Sequence, residues 1–284
     1  MSAPAVTGTS RHIWLCADDY GISHSVNSAI RNLIMRGRIN ATSVMVTAPH
    51  FDRADAASLK MLNADVPRAA IGLHVTLTAP FRPLSQGFSP LRDGGFLPLK
   101  QTMRAAMLRR FNHEALVIEI ATQLRAFVTA FGRPPDFIDG HQHVQLFPQI
   151  CDAVLKVAAE VAPNAWLRQC GRKAPLIRRL LDRKGLLLEF LSVRLRRRAR
   201  ALGVRTNPAF AGSYNFAPGA DFARLFPAFL NGLPEGGVVM CHPGFVDAEL
   251  KRLDSLTTLR ELEYAYLNGE AFPGVLAAHG VTLS

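Results

Sequence analysis

Short apolar runs alternate with amphipathic stretches along almost the whole chain, and this alternation constrains the fold more than any other feature. HIWLCADD reads as a strand ending in two acids. SHSVNSAIRNLIMRG then carries Val26, Ile30, Leu33 and Ile34 at helical spacing and stops at Gly37. The strand-like runs ATSVMVTAP, AAIGLHVTLT, DFIDGHQH, AWLRQC, GVRTNPAF and EGGVVMCHPG follow. Helices are expected near 52–63, 113–131, 148–161, 256–267 and 270–279, and GVTLS reads as a last short strand. A Pro- and Gly-rich stretch over 79–98 is long for a loop in a compact domain, which marks it as functional or mobile. Strand alternating with helix implies a mainly parallel sheet. With 284 residues, 49% of them hydrophobic, the chain suffices for one large core. The expected fold is α/β: a distorted (β/α) barrel of seven to eight mainly parallel strands with outer helices, as a single domain over 1–284. A doubly wound open sheet is the alternative.

The net charge of +11 belongs to one segment. Residues 168–205 hold 13 Lys and Arg against Asp182 and Glu189, and the remainder is balanced at 20 basic and 20 acidic residues. The excess is expected in a basic helical insertion at about 172–205. That insertion is either a solvated face over the barrel mouth, an interfacial helix on an anionic membrane surface, or a reader of acidic glycans. Apart from Phe190, no aromatic residue interleaves with the arginines to offer a stacking platform, so no nucleic acid partner is expected. MSAPAVTGTSRHIWLCADDY lacks a basic stretch followed by an apolar one, and no window approaches the roughly 18 apolar residues of a membrane span. Cys16, Cys151, Cys170 and Cys241 show no CxxC spacing. These features point to a cytoplasmic protein, with peripheral membrane association as a variant of that reading.

Parallel α/β folds place their chemistry at the carboxyl ends of the strands. Strand ends here carry Asp18 and Asp19, His74, Asp139 with His141 and His143, Arg168, and His242. A lone Asp pair also caps turns, a lone strand histidine is often a core residue, and Arg168 alone reads equally as an anion stabiliser or a surface charge. Converging on one mouth, the set reads as a catalytic divalent-metal site. One acid would ligate and the other would hold the attacking water, with His141 and His143 on one strand face. His242, fixed by the Pro and Gly of MCHPG, suits a general acid. Asp and His ligands are compatible with zinc, iron, cobalt or manganese and less typical of magnesium.

The ordered motifs ADDYGIS, IGLHVTLT, DGHQHVQLFP, WLR and MCHPG resemble those of the YdjC-like carbohydrate deacetylases, from about residue 12 to 280. DGHQHV followed by LFP is closer to the chito-oligosaccharide branch than to the hopanoid-biosynthesis branch. The resemblance implies removal of N-acetyl groups from amino sugars with one divalent metal ion, magnesium in the usual assignment. It implies Asp19, His74 and His141 as metal ligands, Asp18 as general base, His242 as general acid and Arg168 as a site arginine. His143, Tyr20, Asp139 and Gln145 are then substrate-facing or support the ligands. Two departures stand out: Tyr20 replaces the usual Phe and brings a hydroxyl near the site, and Gln145 replaces a third histidine, which bears on specificity. The expected partner is an N-acetylated sugar, with a homodimer unsurprising. The other readings are a deacetylase of a lipid-linked amino sugar, an inactive sugar-binding homologue and a metal-dependent phosphoesterase.

Overall fold

The computed structural model describes residues 10–49, 51–171, 183–217 and 219–283. Its elements in chain order are β1 (Arg11–His12), β2 (Trp14–Tyr20), α1 (His24–Met35), β3 (Ala41–Val44), α2 (Arg53–Met61), β4 (Ala70–Val75), α3 (Leu99–Met107) and α4 (His113–Phe131). Then come β5 (Phe137–Gly140), a 3-10 turn (His141–Leu146), α5 (Pro148–Val161), β6 (Trp166–Leu167), α6 (Arg183–Ala201), β7 (Phe210–Ala211) and α7 (Phe222–Leu230). The chain closes with β8 (Val238–Cys241), α8 (Ala248–Leu253), α9 (Thr258–Asn268), α10 (Phe272–Ala278) and β9 (Val281–Thr282).

Seven strands form one parallel sheet in the order β6-β5-β4-β3-β2-β8-β7, curled into a distorted barrel. β1 and β9 pair separately. The segment between α6 and β7 nearly closes the gap between the two sheet edges. Leu167 N–H donates to the Arg205 carbonyl, the Asn207 side chain bonds both the N–H and the carbonyl of Gln169, and Phe210 N–H donates to the Gly171 carbonyl. Alternation along the strands sorts the side chains: Trp14 stacks on Trp166 of β6 and Cys16 and Asp18 meet Arg168 just past β6, while Leu15 and Ala17 point the other way and are buried in the apolar core. Gly72 leaves room for the barrel interior, since a Cβ there would stand 2.4 Å from the Phe137 ring.

The helices at 113–131 and 148–161 match the apolar periodicity, and Asn112 caps the first by accepting from Glu114 and Ala115 N–H. Three helices stand outside the sequence expectation. α3 follows Pro98 directly with no side-chain cap, α7 contains Pro227, and α8 is six residues long. The 79–98 stretch is pinned rather than loose. Glu119, buried on α4, accepts from Leu84 N–H, Ser85 N–H and the Ser85 hydroxyl, and Phe81, Phe88 and Phe96 are buried. Part of the basic segment, 172–182, lies outside the described residues. Its described part is the crossover helix α6, which buries Leu188, Leu191, Leu195 and Ala199 along one stripe. Arg194 and Arg198 pair with Asp152 of α5. No helix among the described residues is long and apolar enough to cross a membrane.

Candidate active site

A cleft of about 300 Å³ opens at the carboxyl ends of the strands, lined by Asp18, Asp19, His74, His141, His143 and His242 among others. An ideal strand would send Asp18 and Asp19 to opposite sides. Both reach the cleft because β2 carries a register shift between Ala17 and Tyr20, with Asp19 in the left-handed region at φ 70°. Such a bulge re-aims a side chain, and a non-glycine residue held there costs on the order of 1–3 kcal/mol unless its surroundings over-determine it. Here Ile22 N–H donates to the Asp19 carbonyl and Met45 N–H to that of Tyr20.

The DGHQHV segment departs from the expected extended strand. β5 ends at Gly140, and Gln142 (φ 55°) and His143 (φ 61°) are left-handed, so His141 and His143 do not share a strand face. Gly140 permits the turn: a Cβ there would lie 2.8 Å from Gln145 Oε1 and 2.9 Å from Val144 Cγ2. His141 turns toward Asp19, with Phe81 edge-on to its ring at 5.6 Å, while His143 faces Cys170 Sγ and Phe210.

Ligand atoms of Asp19, His74 and His141 lie within 4.8 Å of one another. Asp19 Oδ1 is 3.0 Å from His141 Nδ1 and 3.3 Å from His74 Nε2. Donors about 2.1 Å from a shared ion stand about 3.0–3.4 Å apart, so the trio fits a divalent metal. His74 Nδ1 donates to Asp139 Oδ1 at 2.6 Å, which leaves Nε2 for the ion, the usual support of a metal-bound histidine. Burial opposes an imidazolium at His74, but Asp139 outweighs it and lifts the ring to about 10, so a metal arriving there displaces a proton. Asp19 Oδ2 accepts from Arg260 Nη2 at 2.6 Å. Burial pushes the Asp19 carboxyl up, and Arg260 together with His141 brings it well below its usual range. Cys16, Asp18 and Asp139 also cluster, but they surround the Arg168 guanidinium, which takes the place an ion would have.

Arg168 is neither a surface charge nor a group facing the cleft. It is fully buried, its Nη1 and Nη2 donate to Asp18 Oδ2 and Oδ1 at 2.6 and 2.7 Å, and Nη2 is 2.6 Å from Asp139 Oδ2. Against burial, this guanidinium holds the Asp18 carboxyl down at about 2. The two departures noted in the sequence also point away from the cleft. The Tyr20 hydroxyl donates to the Asp55 carbonyl and accepts from Arg31. Gln145 is fully buried, and its Nε2 donates to the Arg168 carbonyl. Neither side chain reaches the cleft, because both are taken up by neighbouring elements behind it.

His242 lines the cleft at the end of β8, with Phe216 edge-on at 5.4 Å. Burial lowers its imidazole to about 4, so it is neutral near pH 7. Its backbone N–H donates to Glu263 Oε2 at 2.5 Å, and Tyr214 donates to Glu263 Oε1 at 2.6 Å.

A family model of YdjC-like proteins matches residues 12–278. The chain belongs to the YdjC-like family. A solved structure from Enterococcus faecalis, provisionally described as a cellobiose-phosphate cleavage protein, is similar to this YdjC-like protein at 22% identity. That match covers 97% of both chains with a TM-score of 0.72. A lactam utilization protein from Thermus thermophilus is similar at 16% identity, covering 96% of this chain and 98% of its own, with a TM-score of 0.50. At these identities the shared feature is the fold.

Sequence reasoning passed over Arg260, Glu263, Asp254, which lines the cleft, and Ser43, whose hydroxyl donates to Asp18 Oδ1 at 3.3 Å. The signal for the first two was present: in TLRELEYAYL, Arg260 and Glu263 fall on the stripe of α9 that also buries Leu259 and Leu267. Charges on a core-facing stripe require partners.

Proposed function

We propose that this YdjC-like protein is a metal-dependent carbohydrate deacetylase that hydrolyses the N-acetyl group of an amino sugar, of chito-oligosaccharide type. The observation that carries the reading is a single cleft in which a three-ligand cluster, Asp19, His74 and His141, adjoins an arginine-clamped carboxylate, Asp18, with His242 on the same wall. A divalent ion held by those three residues would lower the pKa of water and polarise the acetamide carbonyl.

The protein's own groups handle the protons. Asp18 takes one from the attacking water. Arg168 fixes its orientation and keeps it ionised, so proton uptake depends on the water being strongly acidified. His242 begins neutral, so it takes up, by way of solvent in the cleft, a proton equivalent to the one Asp18 removed from the water, and passes it to the departing amine nitrogen as the C–N bond breaks. Phe216, Leu99 and Leu256 offer apolar walls to a sugar ring, and the small cleft suits one residue of a sugar chain. The sugar type rests on the order of the sequence motifs.

The test is acetate release from N-acetylated chito-oligosaccharides by metal-loaded protein. Asp18→Asn and His74→Ala are expected to lower the rate by at least about a thousandfold. Release at the wild-type rate by either variant would sink the scheme. Sugar binding without acetate release would indicate an inactive sugar-binding homologue, and phosphate release from a sugar phosphate a phosphoesterase.

A further inference from the structure

Arg260 stands 241 residues from Asp19 in the chain yet touches it. It is fully buried on α9 and joins three groups. Its Nη2 is 2.6 Å from Asp19 Oδ2 and 2.7 Å from Asp254 Oδ2, and its Nε donates to the Leu256 carbonyl at 2.9 Å. Its own carbonyl accepts from Gly244 N–H, two residues past His242. Asp254, Ser255 and Leu256 form one wall of the cleft, and the Asp254 side chain keeps 19% exposure. One nitrogen is therefore shared between a carboxylate of the metal-ligand cluster and a carboxylate open to whatever fills the cleft.

We infer that Arg260 is a positioning residue that links the sugar-facing wall to the metal centre, which rests on the deacetylase reading above. It reserves Asp19 Oδ2, so that Oδ1, the oxygen facing His74 and His141, alone is offered to the ion. Because Nη2 is shared, the state of Asp254 sets how tightly Arg260 grips Asp19. An Asp254 that keeps its full charge draws the guanidinium away from Asp19 and leaves more negative charge for the ion. A sugar hydroxyl donating to Asp254 competes with Arg260, so sugar contact and metal affinity are coupled through this one side chain. Residues joined in one ion-pair network in this way respond non-additively to substitution.

The experiment is a double-mutant cycle read by titration with Mn²⁺ alone, without sugar or turnover. Asp254→Asn is expected to weaken Mn²⁺ binding severalfold when Arg260 is present and by less than twofold in an Arg260→Met background. Equal effects of Asp254→Asn in both backgrounds would overturn the inference, because they would leave only a distant charge effect. If Arg260→Met fails to show a cooperative thermal transition, Arg260→Gln replaces it. Glutamine keeps a polar terminus but has no charge to share between the two carboxylates, and the same loss of the Asp254 effect is expected. Failure of the wild-type protein to bind Mn²⁺ would instead overturn the metal-dependent function, so the two failures are distinguishable.

Discussion

Glu263 and His242 are adjacent groups whose ionisation the fold shifts in opposite directions. Burial lifts the Glu263 carboxyl from 4.5 to about 7, even though Tyr214 and the His242 N–H both donate to it. The folded state then keeps a proton that the unfolded chain has lost between those values. Stability from this group is therefore full below about pH 4.5 and falls as pH rises to about 7, by about 3 kcal/mol in all. His242 works the other way: its lowered value makes the folded state bind fewer protons between about 4 and 6.5, so its contribution falls as pH drops. Glu263→Gln keeps one acceptor for the His242 N–H, turns the Tyr214 contact round so that the amide donates to the hydroxyl, and removes the first effect. In urea unfolding of the metal-free protein, wild type is expected to lose stability relative to Glu263→Gln as pH rises from 5 to 8. Parallel pH profiles for the two proteins would show that Glu263 is not so perturbed.

Within single elements, small residues decide what the strands can present. β4 brings Gly72 and His74 to the same interior face, and the Phe137 ring of β5 occupies the room Gly72 leaves. That ring stacks on Trp166 at 4.6 Å and lies 5.9 Å from the Arg168 guanidinium. Gly72→Ala is expected to destabilise the protein by about 1–3 kcal/mol through overpacking. It should also change the near-UV circular dichroism of Trp166. An unchanged spectrum and midpoint would mean that the strands yield without disturbing this stack. The 140–146 turn follows the same logic, because Gly140 lets Val144 and Gln145 fold back over the end of β5. The periodicity of DFIDGHQH argued for a longer strand, since two histidines at spacing two fit an extended face. Left-handed backbone at Gln142 and His143 overrode it, and no residue-type preference announced that change.

At the scale of the whole molecule, several cations of the basic segment are held by acids of other elements. Arg168 is enclosed by Asp18 and Asp139, and Arg194 and Arg198 hold α6 to α5 through Asp152. The site ligands come from β2, β4 and the turn after β5, so an ion held by them ties together parts of the sheet that unfolding separates. A divalent metal at a hundredfold excess over its Kd is expected to stabilise the fold by about 2.7 kcal/mol. This should raise Tm by several degrees for a chain of this size, and excess EDTA should reverse it. His141→Ala should abolish most of the shift. An equal shift in that variant would place the ion elsewhere.

The sequence alone determined the α/β class and the strand ends that carry Asp18, Asp19, His74, Arg168 and His242, because periodicity and strand termini are local properties of the chain. It also marked Tyr20 and Gln145 as departures, but it could not say that their side chains turn away from the cleft. Only the tertiary structure decided which polar groups touch. The bulge that swings Asp19 beside Asp18 depends on strand register, and the clamp of Arg168 on Asp18 depends on the closure of the barrel interior. The approach of Arg260 and Glu263 from α9 depends on packing between residues far apart in sequence. Such contacts are set by the backbone's path through space, which a local pattern of residue types does not encode.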